Sequence, residues 1–139
     1  MKARMRWNCQ SDGCFFDKKV VRLYDFDDCF GGKIGLTDVD GLVERNGHFL
    51  FVEWKAPQEK LPMGQRILFE QLTKLSDKIV VVVVNGHSSQ SEGSHPVQYQ
   101  TAYKGRWSAV EETNIEQLRD FFRRWYTWAD NQGEFQWHT

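Results

Sequence analysis

The sequence predicts an α/β protein whose sheet contains both parallel and antiparallel strands. An Asn-Gly pair at 46–47 separates two apolar runs, apolar residues at helical spacing follow within 57–77, and five consecutive valines occupy 80–84. The first pattern is typical of a β-hairpin, the second of an amphipathic helix and the third of a strand buried on both faces. A helix between two strands implies a crossover connection, and therefore a mixed sheet.

Chain length favours one domain, because 139 residues can enclose one hydrophobic core but hardly two. We expect a single domain over 1–139, with its core at about 36–85. An irregular segment at 1–35, which contains several glycines, precedes this core, and a strand and a helix within 97–130 follow it. A short helix or strand around Phe15–Phe26 is expected within the N-terminal segment.

The composition is that of an ordinary globular chain, with 40% apolar and 27% charged residues. No apolar run approaches the roughly 20 residues that a membrane span needs, so no membrane partner is expected. The N-terminal MKARMRWNCQ is positively charged but is not followed by an apolar segment, which argues against a signal peptide. We therefore expect a cytoplasmic protein.

The net charge of −1 neither favours nor excludes a nucleic-acid partner, because an enzyme needs only a local basic surface. Each candidate cation for such a surface has the alternative of being an ordinary solvated side chain. The candidates are Lys18, Lys19, Arg22, Lys60 and Arg66, with Arg119, Arg123 and Arg124 on the last helix.

The three cysteines, Cys9, Cys14 and Cys29, are an odd number, which argues against a disulfide framework. The four residues between Cys9 and Cys14 suit some zinc sites, and Cys29 could be a third ligand of a structural zinc. Reduced thiols are the preferred alternative.

The central elements follow from local signals. Strands are expected near Asp38–Arg45 and His48–Lys55, joined by a type I′ turn. The helix within 57–77 has Pro62 in its first turn, and the next strand spans 78–86. The expected buried stripe of this helix is Ile67, Leu68, Leu72 and Leu75.

The remaining elements have weaker signals. The polar stretch 87–96 predicts a mobile loop, and the alternation within 97–107 predicts an edge strand or a hairpin. The last helix begins after a cap at Thr113 or Asn114. Its expected buried side is Ile115, Leu118, Phe122, Trp125 and Ala129, which would leave Tyr126 and Trp128 exposed for an oligomer contact.

A two-residue turn at 46–47 determines the pairing of the hairpin. Asp40 then faces Glu53, and Asp38 faces Lys55. Facing residues have Cβ atoms about 4.5–5.5 Å apart. The predicted register therefore brings three carboxyl groups and one amine together at the open end of the hairpin.

Two facing carboxylates repel each other, and a divalent cation can compensate for that repulsion. Asp40 and Glu53 are suitable ligands for Mg²⁺, which proteins usually hold through one or two carboxylates, waters and substrate phosphate oxygens. The ammonium of Lys55 could orient an attacking water or stabilise charge on a phosphate. The alternative is a surface ion pair between Glu53 and Lys55, with Asp38 and Asp40 as ordinary turn residues.

The segment TDVDGLVERNGHFLFVEWK at 37–55, followed by GQRILFEQL and KIVVVVV, resembles the PD-(D/E)XK nuclease superfamily. The resemblance is closest to small phage-type and VRR-NUC-like members and to resolvases, and it covers roughly 36–85. It implies a restriction-endonuclease-like core, a mixed sheet flanked by helices on both faces, in the order helix, three strands, helix, strand. It also implies Mg²⁺- or Mn²⁺-dependent hydrolysis of duplex or branched DNA, in the host cytoplasm if the chain is phage-encoded.

Carried over by position, the resemblance places the metal-binding acids on Asp40 and Glu53 and the catalytic lysine on Lys55. It gives Gln65 a contact with the metal-bound water or the substrate phosphate; the alternative is a solvated helix glutamine. Asp38 lies outside the motif, as an outer-shell group or a solvated turn residue. The sequence departs from the pattern at Val39, where many members have proline. The acid that many members carry on their first helix could be Asp17, Asp25, Asp27 or Asp28.

The expected function is thus a metal-dependent deoxyribonuclease for which Asp40, Glu53, Lys55 and Gln65 form the catalytic site. A homodimer is compatible with it, because two active sites suit the cutting of two strands. One alternative is a catalytically inactive DNA-binding or regulatory protein with the same fold. Another is a structural protein that oligomerises through its tryptophan-rich last helix. His48, His87 and His95 are expected to be solvated.

Overall fold

The computed structural model describes residues 22–89 and 91–132. The chain divides into two compact units, Met1–Asp38 and Val39–Thr139. The described part of the first unit contains a 3₁₀ helix at Leu23–Cys29, none of whose side chains is buried. This helix overlaps the expected element around Phe15–Phe26, whose residues before 22 lie outside the described part. A single domain over 1–139 stays a prediction.

The described part of the second unit is a mixed sheet with two α-helices. The sheet has six strands in the order β1-β2-β3-β4-β5, with β6 also paired to β4. Only β2 and β3 are parallel among these pairs, and α1 connects them, so the predicted crossover is confirmed. The elements are β1 Gly41–Arg45, β2 His48–Lys55, α1 Met63–Lys74, β3 Ile79–Ser89, β4 Gly93–Tyr103, β5 Arg106–Trp107, β6 Glu111–Glu112 and α2 Ile115–Asp130.

The β1–β2 hairpin has the predicted turn and register. Asn46 and Gly47 have φ angles of 51° and 79°, the positive values that a type I′ turn requires. The pairs run from Arg45↔His48 to Gly41↔Val52, as expected. The first strand is shorter than predicted, however, because the ladder ends at Gly41. The predicted pairs Asp40↔Glu53 and Asp38↔Lys55 therefore do not form as strand pairs.

The five valines of β3 divide between two cores. Val80, Val82 and Val84 pack with Leu118 and Trp125 of α2 on one face of the sheet. Val81 and Val83 pack with Phe69 of α1 on the other face. Side chains alternate along a strand, so an unbroken valine run serves both faces. The two helices therefore lie on opposite faces, the α1 face and the α2 face.

The predicted buried stripe of α1 is wrong in three of its four positions. Phe69 and Thr73 are buried, and Leu72 packs beside them. Ile67, Leu68 and Leu75 are exposed. A buried threonine is satisfied here because its hydroxyl donates to the carbonyl of Phe69 and accepts from the amide of Gly105, at 2.8 and 3.1 Å. These bonds make the polar Thr73 a core residue, which an apolar pattern does not reveal.

Helix α2 begins where the sequence predicts. The side chain of Asn114 accepts a hydrogen bond from the amide of Gln117 at 2.9 Å, the expected cap. Its buried residues are Leu118, Phe121, Trp125, Trp128 and Ala129, and Phe122 is partly buried.

The predictions for Ile115 and Trp128 are wrong. Ile115 is 41% exposed, whereas Trp128 is 6% exposed and lies edge-on to the ring of His48. His48 is also buried, so its prediction as a solvated residue is wrong too. Trp128 follows Trp125 by three residues and Phe121 by seven, which places all three on one side of the helix.

The prediction of a mobile loop over 87–96 is wrong for 87–89 and 93–96, which are the paired ends of β3 and β4. Strands β3 and β4 stay paired out to Ser89↔Gly93. Backbone hydrogen bonds suffice to hold a strand whose side chains are polar and exposed, and such a strand lacks the apolar alternation from which strands are predicted. The expected hairpin near Lys104-Gly105 is confirmed, with β4 inside the sheet between β3 and β5.

Residues 22–89 and 91–132 include no helix that is long and apolar enough to cross a membrane.

Replacing Leu118 by alanine should lower the free energy of unfolding by about 2–5 kcal/mol, because it opens a cavity between α2 and β3. Ile115→Ala is the matched control on the same helix, and its cost should be less than half as large because this side chain is 41% exposed. Equilibrium urea unfolding of both variants measures the difference. Equal costs would contradict the placement of the α2 face.

Candidate active site

Glu53 and Lys55 lie at the carboxyl end of β2 on the α1 face. Glu53 is 6% exposed, and the side chain of Lys55 is 12% exposed. The Nζ of Lys55 lies 3.4 Å from the Oε1 of Glu53. The alternative of a surface ion pair is therefore wrong, because both side chains are largely removed from water.

The side chain of Asp40 is hydrogen-bonded to the backbone at this end of β2. Its Oδ2 accepts a hydrogen bond of 2.7 Å from the backbone amide of Trp54. The β1–β2 ladder ends two residues before Trp54, so the carboxylate takes the place of a strand carbonyl. This bond uses one carboxylate oxygen of Asp40 and leaves Oδ1 for a ligand.

Gln65, in the first turn of α1, meets the same carboxyl group. Its Nε2 donates to the Oε1 of Glu53 at 3.2 Å. Its own Oε1 is buried without a hydrogen-bond partner among the described residues. A buried carbonyl oxygen without a donor is costly, and a bound water or another donor would remove that cost. The structure thus brings Asp40, Glu53, Lys55 and Gln65 together, as predicted.

The electrostatics of the site centre on Glu53. Burial raises the pKa of its carboxyl group above 4.5, and the negative charge of Asp40 raises it further. The positive charge of Lys55 and the hydrogen bond from Gln65 lower this pKa, but they do not offset the first two effects. A cation between Asp40 and Glu53 would stabilise the ionised form.

Sequence reasoning missed two residues that hold the site. Glu59, in the loop between β2 and α1, accepts from the amide of Ala56 at 3.0 Å and places its Oε2 at 3.7 Å from the Nζ of Lys55. Asn85 on β3 donates to the carbonyls of Ala56 and Glu59, at 2.9 and 2.8 Å. The signal for Asn85 was a polar residue directly after five buried valines; Glu59 has no comparable signal.

A β-bulge lies next to Asn85. The register of β3 with β4 shifts between Asn85 and Gly86, and a Cβ on Gly86 would stand 2.5 Å from the carbonyl oxygen of His95. Glycine is therefore required at this close approach. The carbonyl of Gly86 accepts from the indole of Trp54 at 3.2 Å, which ties the bulge to the end of β2.

The other predicted residues have different outcomes. Lys60 and Arg66 line a cleft described below. Asp38, Arg22, Asp25, Asp27, Asp28 and the exposed Cys29 belong to the first unit, in which Arg22 pairs with Asp25 at 3.0 Å. Cys9, Cys14, Asp17, Lys18 and Lys19 lie outside the described residues. Roles for Asp38, for the basic residues and for a zinc site stay predictions.

The donor set fits a hard cation of the magnesium type. No group of three His, Cys, Asp or Glu side chains suited to a metal occurs in residues 22–89 and 91–132. Asp40 and Glu53 supply two carboxylates, the number through which proteins commonly hold Mg²⁺ when water and substrate complete its shell. Such a shell would stabilise the ionised form of Glu53, whose pKa is raised, and its water could donate to the unpaired Oε1 of Gln65.

No family model, curated protein or solved structure matches this chain in comparisons with known proteins.

Replacing Asp40 by asparagine should weaken the pH dependence of stability in metal-free protein. With its pKa raised, Glu53 binds a proton more tightly when folded than when unfolded, so the free energy of unfolding falls as pH rises from 4.5 through the raised pKa. Asparagine removes the neighbouring charge and can still accept from Trp54. Urea unfolding with chelator at pH 4 to 8 measures how the free energy of unfolding changes with pH in the wild type and in Asp40→Asn. An identical pH dependence in the two proteins would show that Asp40 does not act on Glu53.

Proposed function

We propose that the protein is a divalent-metal-dependent nuclease that hydrolyses phosphodiester bonds of DNA. The observation that carries this proposal is the convergence of two carboxylates, a lysine and a glutamine at the end of a buried strand. Asp40 and Glu53 each keep one carboxylate oxygen that has no hydrogen bond among the described residues. An amine and two carboxylates brought together in this way suit phosphodiester hydrolysis.

Asp40 and Glu53 would hold Mg²⁺ or Mn²⁺ through these oxygens, the Oδ1 of Asp40 and the Oε2 of Glu53. A bound divalent cation would supply charge to the phosphate and lower the pKa of an attacking water. The hydrogen bond from Trp54 orients Asp40, and the bond from Gln65 orients Glu53. Both carboxylates are thus fixed before substrate arrives, which removes reorganisation from the reaction.

Lys55 would act on the substrate through its charge. Its ammonium lies 3.4 Å from Glu53 and 3.7 Å from Glu59, and little of the side chain is exposed. A buried ammonium interacts strongly with developing negative charge because little water screens it. Lys55 would therefore stabilise the pentavalent phosphorus centre or orient the water, while Glu59 positions its amine.

The architecture supports a restriction-endonuclease-like core as part of this proposal. Strands β2 and β3 are parallel, α1 crosses between them, and helices lie on both faces. One feature differs from the implied order, because two strands rather than three precede α1 within residues 22–62. Glu53, Lys55 and Gln65 lie on β2 and α1, and Asp40 directly precedes β1.

One observation favours the second candidate, a DNA-binding protein without catalysis. Lys55 is already paired with two carboxylates, so part of the negative charge of the site is compensated without a metal. This alternative predicts DNA binding in chelator and no cleavage with any metal.

Asp40→Ala and Lys55→Ala should each lower metal-dependent cleavage by about 100-fold or more, because each removes a charge that stabilises the transition state. The substrates are linear, single-stranded and branched DNAs with Mg²⁺, Mn²⁺ or EDTA, followed on denaturing gels. Asp120→Ala and Lys78→Ala, which replace exposed residues away from the site, should cleave like the original protein.

If the wild-type protein cleaves none of these DNAs in Mg²⁺ or Mn²⁺, the proposal is overturned and the second candidate, a DNA-binding protein without catalysis, remains. Full activity in either site variant would show that the chemistry lies elsewhere.

A further inference from the structure

We infer that a cleft beside the carboxylate site holds one unpaired nucleotide of the substrate strand, so that the substrate is single-stranded next to the cleaved bond. The inference rests on the proposed nuclease function and names its substrate class. The cleft has a volume of about 400 Å³ and lies in the second unit. This volume falls in the range of about 300–1,000 Å³ that is typical of small-molecule sites.

The cleft lies next to the candidate site, because its lining includes Glu59, whose Oε2 lies 3.7 Å from the Nζ of Lys55. Its floor contains Asn85 of β3 and Gln98 of β4. Lys55 pairs with Asn85, and Asn85 pairs with Gln98, so the three residues form one row across three strands. Neighbouring strands lie about 4.8 Å apart. When a phosphate of the DNA lies at Lys55, the cleft is therefore only one or two β-strands away from that phosphate.

The floor offers hydrogen-bonding groups that suit a nucleobase. The Nε2 of Gln100 donates to the carbonyl of Ser108 at 2.9 Å, and the Nε2 of Gln98 donates to Asn85 at 3.4 Å. These bonds orient the two amides, and their Oε1 atoms have no hydrogen bond among the described residues. Oriented amide oxygens accept from the amino and imino groups of unpaired bases.

Arg66 provides a fixed cation at the wall of the cleft. Its guanidinium lies 4.7 Å from the ring centre of Trp107, and its Nε lies 3.7 Å from the Oε1 of Glu70. The same oxygen accepts from the indole of Trp107 at 2.9 Å. A guanidinium held on one face by an aromatic ring keeps its edge for a phosphate, which it can bind through two hydrogen bonds. Lys60 adds a second cation to the lining.

The shape of the cleft favours an unpaired strand over a duplex. Bases in a duplex are stacked and turn their pairing edges toward the partner strand, so a base enters a recess only after it leaves the stack. A single strand has bases that are free to turn, and its phosphates can follow Arg66 and Lys60. The cleft therefore selects single-stranded DNA or a single-stranded branch.

Equilibrium binding in EDTA tests this inference without cleavage. The probes are a fluorescently labelled single-stranded DNA of 12 nucleotides and the duplex of the same sequence, followed by anisotropy. We expect the single strand to bind at least about tenfold more tightly. Arg66→Ala and Gln98→Leu should each weaken single-strand binding about five- to tenfold, because each removes a hydrogen bond to the strand.

Arg119→Ala is the matched control, because Arg119 is an exposed arginine on α2. It should change the affinity by less than about twofold, because an exposed charge away from the bound strand is screened by salt. Thermal unfolding of each variant confirms that it folds. Arg66→Lys provides a second variant, which keeps the charge and loses the paired hydrogen bonds. Its affinity for the single strand should lie between those of the wild type and Arg66→Ala.

Two outcomes overturn the inference: equal affinity for duplex and single strand, or unchanged single-strand affinity in both Arg66→Ala and Gln98→Leu. Neither outcome depends on metal or cleavage. Suppose that the single strand binds with the expected losses in the variants but that no DNA is cleaved in Mg²⁺ or Mn²⁺. This result would support the cleft as a single-strand site and would overturn only the nuclease proposal.

Discussion

The two-residue turn at Asn46-Gly47 is the constraint on which the candidate site depends. Side chains alternate between the faces of a strand, so a slip of one residue would move Glu53 and Lys55 to the α2 face. The turn excludes this slip because its positive φ angles suit a two-residue type I′ connection. Asn46 also donates to the carbonyls of Ala129 and Asp130, at 3.3 and 3.1 Å, which links the turn to the end of α2. One dipeptide therefore sets the strand register and satisfies a helix terminus.

The site places ionisable groups where they oppose folding. Glu53 is buried near a second carboxylate, and the surrounding groups only partly compensate, as the raised pKa shows. A purely structural strand end would favour an apolar or neutral residue there, because a buried charge is costly. Such an arrangement is typical of functional sites, which keep unfavourable charges because their chemistry requires them. Asn85 and Glu59 support it by holding the loop that follows β2.

The predictable parts of the fold were those governed by local backbone chemistry or by unbroken hydrophobic runs. The hairpin register, the Asn114 cap and the double-sided burial of β3 belong to this class. Burial on α1 and α2 could not be predicted fully, because the choice between neighbouring apolar residues is made by the partner surface. Thr73 and Trp128 show this, since each is buried by contacts with residues far along the chain. The register predicted the location of Asp40 and Glu53, whereas Glu59 acts through a loop that has no periodic pattern.

The long β3–β4 hairpin has a consequence for local motion. β2 ends opposite Asn85, so the pairs from Gly86↔Pro96 to Ser89↔Gly93 have no third strand from β2 beside them. A two-stranded ribbon is marginally stable by itself, whereas the amides of Val80–Val84 lie in a fully buried strand. Amide hydrogens in the ribbon should therefore exchange with solvent when the two strands separate briefly. The amide hydrogens of the valines should exchange only when the whole sheet opens. The bulge at Gly86 marks the boundary between these two regimes, directly beside the residue that holds the loop after β2.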